Sequence, residues 1–152
     1  MTDLLIRSAS LSDLSAICAI EDDSFPSPYP GFLLQRLLQH NRETFLVAAD
    51  GSGKIVGYCV CSLDGDSAHL ISIAVHRSSR RRGYAAALLK KTIGQLAEKG
   101  VSALRLEVSV NNTEAVRLYS KNGFEKLDTL PNYYSDGSDA MRMGLMIDNV
   151  EQ

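Results

Sequence analysis

Short apolar, β-branched runs alternate along the chain with stretches of helical period. Leu4 to Ser8 reads as a first strand. Ser10 or Ser12 can cap a helix from Leu11 to Asp23, with Leu14, Ile17, Cys18 and Ile20 on its buried face. Phe25-Pro26-Ser27-Pro28-Tyr29-Pro30-Gly31 holds three prolines and reads as a loop, followed by a helix from Phe32 to His40. Thr44 to Ala49 and Lys54 to Leu63 form a hairpin across Asp50-Gly51-Ser52-Gly53. Asp64-Gly65-Asp66 turns the chain into a further strand, Ala68 to Val75. A long helix from Gly83 to Lys99 is closed by Gly100, and Ala103 to Val108 is a strand. Asn111 or Asn112 caps a helix through Lys121 that Asn122-Gly123 ends. Phe124 to Thr129 and Ala140 to Met146 are the last strands, joined by the loop Leu130 to Asp139.

The order β-α-α-β-β-β-α-β-α-β-β predicts an α/β (α+β) fold. Its central sheet is mixed and mostly antiparallel, flanked by helices, with a parallel pair where the long helix crosses over. Nothing repeats and no internal linker is visible, so residues 1–152 read as a single domain.

The 152 residues carry a net charge of −2, so bulk electrostatics point to neither nucleic acid nor a membrane surface. No run approaches the roughly 18 apolar residues of a membrane span. Met1-Thr2-Asp3-Leu4 lacks the basic start of a signal peptide, so a cytoplasmic location is expected. Cys18, Cys59 and Cys61 form no disulfide framework and match no zinc spacing; they read as small buried apolar residues, and no metal is expected.

Against this mildly acidic background one segment stands out. The strand Ile73-Ala74-Val75 stops abruptly, and Arg80-Arg81-Arg82-Gly83 leads into the alanine-rich helix. Free N–H groups and the positive dipole end at a helix start bind anions, phosphates above all. A glycine there lets a pyrophosphate approach the backbone closely. The segment is not a Walker loop, since no Gly-Lys-Ser/Thr follows, and it lacks the three glycines of a dinucleotide fingerprint.

Arg80-x-x-Gly83-x-Ala85, the strand Ser72 to Val75 and Asn111…Leu118-Tyr119…Asn122-Gly123-Phe124 together resemble the GNAT family of N-acetyltransferases over essentially the whole chain. A narrower resemblance is to protein Nα-acetyltransferases of the bacterial RimI, archaeal and NatA/NatE catalytic-subunit type. Phe25-Pro26-Ser27-Pro28-Tyr29, His69 to Val75, Leu106-Glu107-Val108 and the run Tyr133-Tyr134-x-Asp136-Gly137-x-Asp139-Ala140 carry it. The resemblance implies the GNAT fold and acetyl-CoA as the acetyl donor. It implies that Ile73, Ala74 and Val75 bind the pantetheine arm through their backbone. Arg80, Arg81, Arg82, Gly83, Tyr84 and Ala85 would surround the pyrophosphate, and Asn111 and Tyr119 would contact the cofactor arm. Ala85 stands where a second glycine is commoner.

Transfer from a thioester to an amine needs a neutral amine and a protonated leaving thiolate. An α-amine has a pKa near 7.7–8.0, against about 10.4 for lysine, so a modest base suffices for an N-terminus. Glu107 is a carboxylate in an otherwise apolar strand and aligns with the general base of RimI; a surface glutamate is the plainer alternative. His69 aligns with a catalytic position of NatE-type enzymes. The fold would set it on the strand beside Glu107, so that the two share a proton relay. Tyr119 aligns with the family's general acid, and a buried core tyrosine is its alternative. His40 and His76 match no functional position.

Phe25, Pro26 and Tyr29 resemble an acceptor-binding loop, and Tyr133 and Tyr134 match a tyrosine pair that hydrogen-bonds a peptide backbone. The expected acceptor is therefore a protein or peptide N-terminus, met by a monomer or weak homodimer. Some relatives carry Glu in the first loop where Ser27 or Pro28 stands here. An apolar loop favours Met or another hydrophobic first residue. The competing readings are a GNAT enzyme for a small amine or lysine, and a non-catalytic acyl-CoA sensor.

Overall fold

The computed structural model describes residues 3–147; Met1 and Thr2, which entered the reading of the N-terminus, lie outside the described residues. Eleven main elements follow the expected order. They are β1 (Leu5–Ser8), α1 (Leu14–Ser24), α2 (Gly31–His40), β2 (Phe45–Ala49), β3 (Ile55–Asp64), β4 (Ser67–Val75), α3 (Tyr84–Glu98), β5 (Ala103–Ser109), α4 (Thr113–Lys121), β6 (Glu125–Leu130) and β7 (Ala140–Met146). The first predicted helix splits: Leu11–Asp13 is a 3-10 turn, and the α-helix starts at Leu14. Asp13 causes the break by turning its carboxylate back to accept from the Ser10 N–H at 2.8 Å and from Arg7 Nη1 at 2.8 Å. At the far end of α3, Gly100 takes φ +82° and the Val101 N–H reaches Leu96 O at 3.0 Å, the closure expected of a glycine past a helix end.

The strands form one seven-stranded sheet in the order β1-β2-β3-β4-β5-β7-β6. Among the described residues only β4 and β5 run parallel, because α3 crosses between them. Each face of the sheet carries its own core. Ile17 and Ile20 of α1 and Leu34 and Leu38 of α2 pack with Phe45, Val47, Tyr58 and Val60 on one face. Leu88, Leu89 and Leu96 of α3 and Tyr119 of α4 pack with Leu46, Ala48, Cys59 and Cys61 on the other. Strand β2, covered on both sides, is accordingly an unbroken apolar run, Phe45-Leu46-Val47-Ala48-Ala49.

Two irregularities of β4 position the site. Its pairing with β5 comprises Ser67↔Ala103, Ala68↔Leu104 and His69↔Arg105, and ends there, so the two strands splay beyond His69. At the same level the β3–β4 register slips, from Val60↔Ser72 to Cys61↔Leu70, leaving Ile71 as an extra residue. This bulge reverses the alternation of β4. Ala68 and Leu70 face the α3/α4 core, whereas Ala74 faces the α1/α2 core. Ser72, two residues before Ala74, is thereby turned toward α1, where its hydroxyl meets Glu21.

Candidate active site

Along β5, Leu104, Leu106 and Val108 point into the α3/α4 core. The two-residue period puts Glu107 on the opposite face. On β4, Ala68 and Leu70 flank His69 in the same way. The two side chains therefore emerge on one face where the strands part. His69 Nε2 and Glu107 Oε1 meet at 2.6 Å, with the side chains 32% and 16% exposed. A carboxylate joined to an imidazole, both partly exposed, can accept a proton and pass it to solvent.

Two loops lie within reach of the charge of Glu107, one carrying Tyr29 and the other Tyr133 and Tyr134. The loop after α1 and the loop between β6 and β7 are joined by Ser27 Oγ and Ser135 Oγ, 2.9 Å apart. Tyr133 and Tyr134 stack edge to face with ring centroids 4.9 Å apart. Burial pushes the Tyr134 phenol up to about 12, helped by neighbouring Tyr133, Glu107 and Tyr29. Burial likewise raises Tyr29, followed by the charge of Glu21 and then Tyr133 and Glu107, and it raises Tyr133, with Glu107 next. The field of Glu107 thus reaches all three phenols, which stay protonated as hydrogen-bond donors. Pro26 is exposed, while Phe25 packs partly into the α1/α2 core. Asp136 and Asp139 of the tyrosine run brace their own loop, accepting from the Ser138 and Asn132 N–H groups at 2.9 Å each.

Tyr119 lies on the other face of the sheet, 5% exposed, packed against Phe124 at 5.6 Å between centroids. Burial, with smaller effects from Cys59, Tyr134 and Cys61, lifts its phenol well above the ordinary range, so it holds its proton. The His69–Glu107 pair and this buried phenol stand on opposite faces, either side of the splay.

The residues expected to hold the cofactor fit a long anionic thioester ligand. Beyond His69, β4 pairs only with β3, which leaves its other backbone edge open toward the splay. Ala74 and Val75 are buried and Ile73 half-buried, so their side chains serve the core; Ala74 turns its backbone to β3, whereas Ile73 and Val75 turn theirs to the open edge. One group of that edge is already engaged: Val75 O accepts from Arg80 Nε at 2.9 Å. Arg80 also reaches Ser24 Oγ at 3.3 Å and Asp23 Oδ2 at 3.9 Å, so it ties the loop to the end of α1. Arg77 pairs with the same Asp23. Arg81 and Arg82 remain exposed beside the start of α3. There Gly83 takes φ +81° and no side chain caps the helix, which leaves the first N–H groups, those of Tyr84 and Ala85 among them, for a ligand. The Tyr84 ring is buried in the core, so it can offer only its backbone. Asn112, not Asn111, caps α4 by accepting from the Ala115 N–H at 3.2 Å, and Asn111 is exposed and relieved of that duty.

Sequence reasoning missed Glu21, a carboxylate only 1% exposed beneath the loop after α1. It accepts from the Tyr29 N–H at 2.9 Å, from Ser72 Oγ at 3.0 Å and from the Tyr58 hydroxyl. The signal was present: Glu21 falls seven residues after Leu14, on the stripe of Leu14, Ile17 and Cys18, where the pattern calls for an apolar residue.

A mixed seven-stranded sheet splayed at its single parallel pair, with an uncapped basic helix start at the splay, is the architecture of an acyl-CoA-dependent transferase. Residues 14–124 match the Acetyltransferase (GNAT) family, and the chain belongs to that family. Its acetyl donor is acetyl-CoA. The chain is 32% identical to an N-alpha-acetyltransferase of Sulfurisphaera tokodaii, across 91% of this chain and 90% of that one. Among solved structures it resembles Ard1 from Thermoplasma volcanium, with a TM-score of 0.91 and 33% identity over 95% of this chain and 98% of that one. It also resembles the ribosomal-protein-S18-alanine N-acetyltransferase from Escherichia coli, with a TM-score of 0.86 and 30% identity over 98% and 97% of the two chains.

Proposed function

We propose that this enzyme acetylates the N-terminal α-amine of proteins or peptides. The observation that carries the reading is the His69–Glu107 pair, 2.6 Å apart, under two loops that bridge through Ser27 and Ser135 and line the approach with tyrosines. Such a cleft suits one chain end, and the names of the similar Sulfurisphaera and Escherichia coli enzymes support the same acceptor class. Acetyl-CoA supplies the activated acetyl thioester. The open edge of β4, the N–H groups at the start of α3, Arg81, Arg82 and Asn111 would hold it.

Within this reading Glu107 takes a proton from the α-ammonium, directly or through water, His69 Nε2 accepts it from Glu107 Oε1, and the ring releases a proton from Nδ1. Phe25, Pro26, Tyr29, Tyr133 and Tyr134 bind the acceptor backbone and hold its amine at Glu107. On the other face Tyr119 keeps a proton at Oη and gives it to the departing thiolate. No side chain need be acylated, because the amine is itself a sufficient nucleophile once neutral. A loop with Ser27 and Pro28 in place of an acid favours Met or another hydrophobic first residue. The chain would act as a single domain, monomer or weak homodimer, in the cytoplasm; no helix among the described residues is long and apolar enough to cross a membrane.

The test is to incubate the enzyme and acetyl-CoA with peptides starting Met-Leu, Met-Glu, Ser and Ala, each with an internal lysine, and to locate the acetyl group by fragmentation mass spectrometry. Acetyl on the α-amine supports the reading, and Met-Leu ranked first supports the loop argument. Acetyl on the lysine alone would refute it.

A further inference from the structure

Glu21 is a buried carboxylate that the reaction does not use. Its three donors come from three different elements: Tyr58 on β3, Ser72 on β4 and the Tyr29 N–H in the loop after α1. Tyr58 and Ser72 also lie within 3.1 Å of each other, so the group is a closed network at the floor of the acceptor side. The bulge at Ile71 is what turns Ser72 into it. Burial, followed by the charge of Glu21, drives the Tyr58 phenol far above its ordinary range, so Tyr58 acts as the donor.

The loop from Phe25 to Pro30 contains three of the chain's four prolines and forms no regular element. Besides its junctions with α1 and α2, two hydrogen bonds fix it among the described residues. One is the exposed Ser27–Ser135 bridge, which water can contest. The other is the Tyr29 N–H to the buried Glu21 Oε2 at 2.9 Å. A backbone N–H donating to a buried carboxylate is a strong and directional anchor.

We propose that Glu21 is a positioning residue for the acceptor: it pins the backbone of Tyr29 to the bulged part of β4 and so sets the acceptor loop relative to the His69–Glu107 pair. The inference rests on the proposed acceptor class. It assigns to Glu21 the affinity for peptide and not the affinity for acetyl-CoA, whose expected partners lie on the free edge of β4 and the start of α3.

The test compares Glu21→Ala, Glu21→Gln and, as a stability control, Leu96→Ala, a cavity in the distant α3 core. Each is measured for peptide KM, kcat, acetyl-CoA Kd by calorimetry, and Tm. Glu21→Ala should raise the peptide KM about tenfold, the size of one lost charge-assisted hydrogen bond, with acetyl-CoA Kd unchanged. Glu21→Gln keeps a carbonyl acceptor for the Tyr29 N–H and should restore most of the peptide KM. Leu96→Ala should lower Tm and leave the peptide KM where it was. A peptide KM unmoved in Glu21→Ala, an equal loss of acetyl-CoA affinity, or a matching rise in Leu96→Ala would overturn the proposal. Absence of peptide turnover in the unaltered enzyme would instead refute the acceptor reading itself.

Discussion

His69 and Glu107 touch at 2.6 Å although their strands have stopped pairing where Glu107 stands. The register partner of His69 is Arg105, and Glu107 lies two residues further along β5, past the point of divergence. The contact therefore spans the splay. Removing the carboxylate without removing bulk tests the proposed role of Glu107 as the base. Glu107→Gln should lower kcat/KM for a peptide by roughly 10²–10⁴, the usual worth of a positioned general base, with acetyl-CoA Kd unchanged by calorimetry. His69→Ala should cost less, because water can replace a relay more easily than a base.

The tyrosines set the alkaline behaviour. A raised phenol pKa means the proton is retained to higher pH. Tyr134 is held up to about 12, and Tyr29, Tyr133 and Tyr119 are all shifted the same way, chiefly by burial. Peptide turnover should then show no loss from phenol ionisation between pH 8 and the ordinary tyrosine value of 10.0, a range a stopped assay covers directly. Tyr119→Phe keeps the packing on Phe124 and removes the proton, so kcat should fall while Tm changes little.

Gly83 answers a backbone demand. At φ +81° any side chain is strained, at a cost of about 1–2 kcal/mol. Beyond its chain neighbours no atom lies within 4 Å of where its Cβ would stand, so the penalty to folding is conformational and not a clash. Gly83→Ala should lower stability by about that amount in denaturant titration. It should also weaken acetyl-CoA binding, because the methyl group enters the space before the free N–H groups of α3.

Asp13 should make the start of α1 acid-sensitive. Its carboxyl is depressed below the ordinary value of 3.8, first by Arg7, with the Ser10 N–H adding to it against the opposing effect of burial. A depressed carboxyl stabilises the fold above its unfolded pKa, and that contribution is lost as pH falls through the lower folded value. Asp13→Asn should therefore destabilise the protein at pH 7 by about 1 kcal/mol, with the difference from the unaltered protein shrinking below about pH 4. Paired denaturation curves at pH 7 and pH 3 check this.

Much of the architecture was legible because periodicity is a direct record of burial. The Phe45–Ala49 run, the α3 stripe and the glycine that ends it required no tertiary information. The approach of His69 to Glu107 followed from strand order together with a family resemblance; composition alone left both as surface residues. What escaped depends on irregularity. The bulge at Ile71 has no turn residue to announce it, yet it reverses which residues of β4 face α1. The inward fold of Arg80 onto Val75 O and α1 could not be read from a basic run, in which every arginine looks equally free. Glu21 was visible as an acid on an apolar stripe, but its meaning lies in Tyr58 and Ser72, 37 and 51 residues away.

The most direct test of the account is free-CoA release from acetyl-CoA with a Met-Leu peptide, measured beside the same peptide blocked at its α-amine. Turnover is expected with the free N-terminus and none with the blocked one. Equal release from both would contradict it and move the acceptor to a side chain.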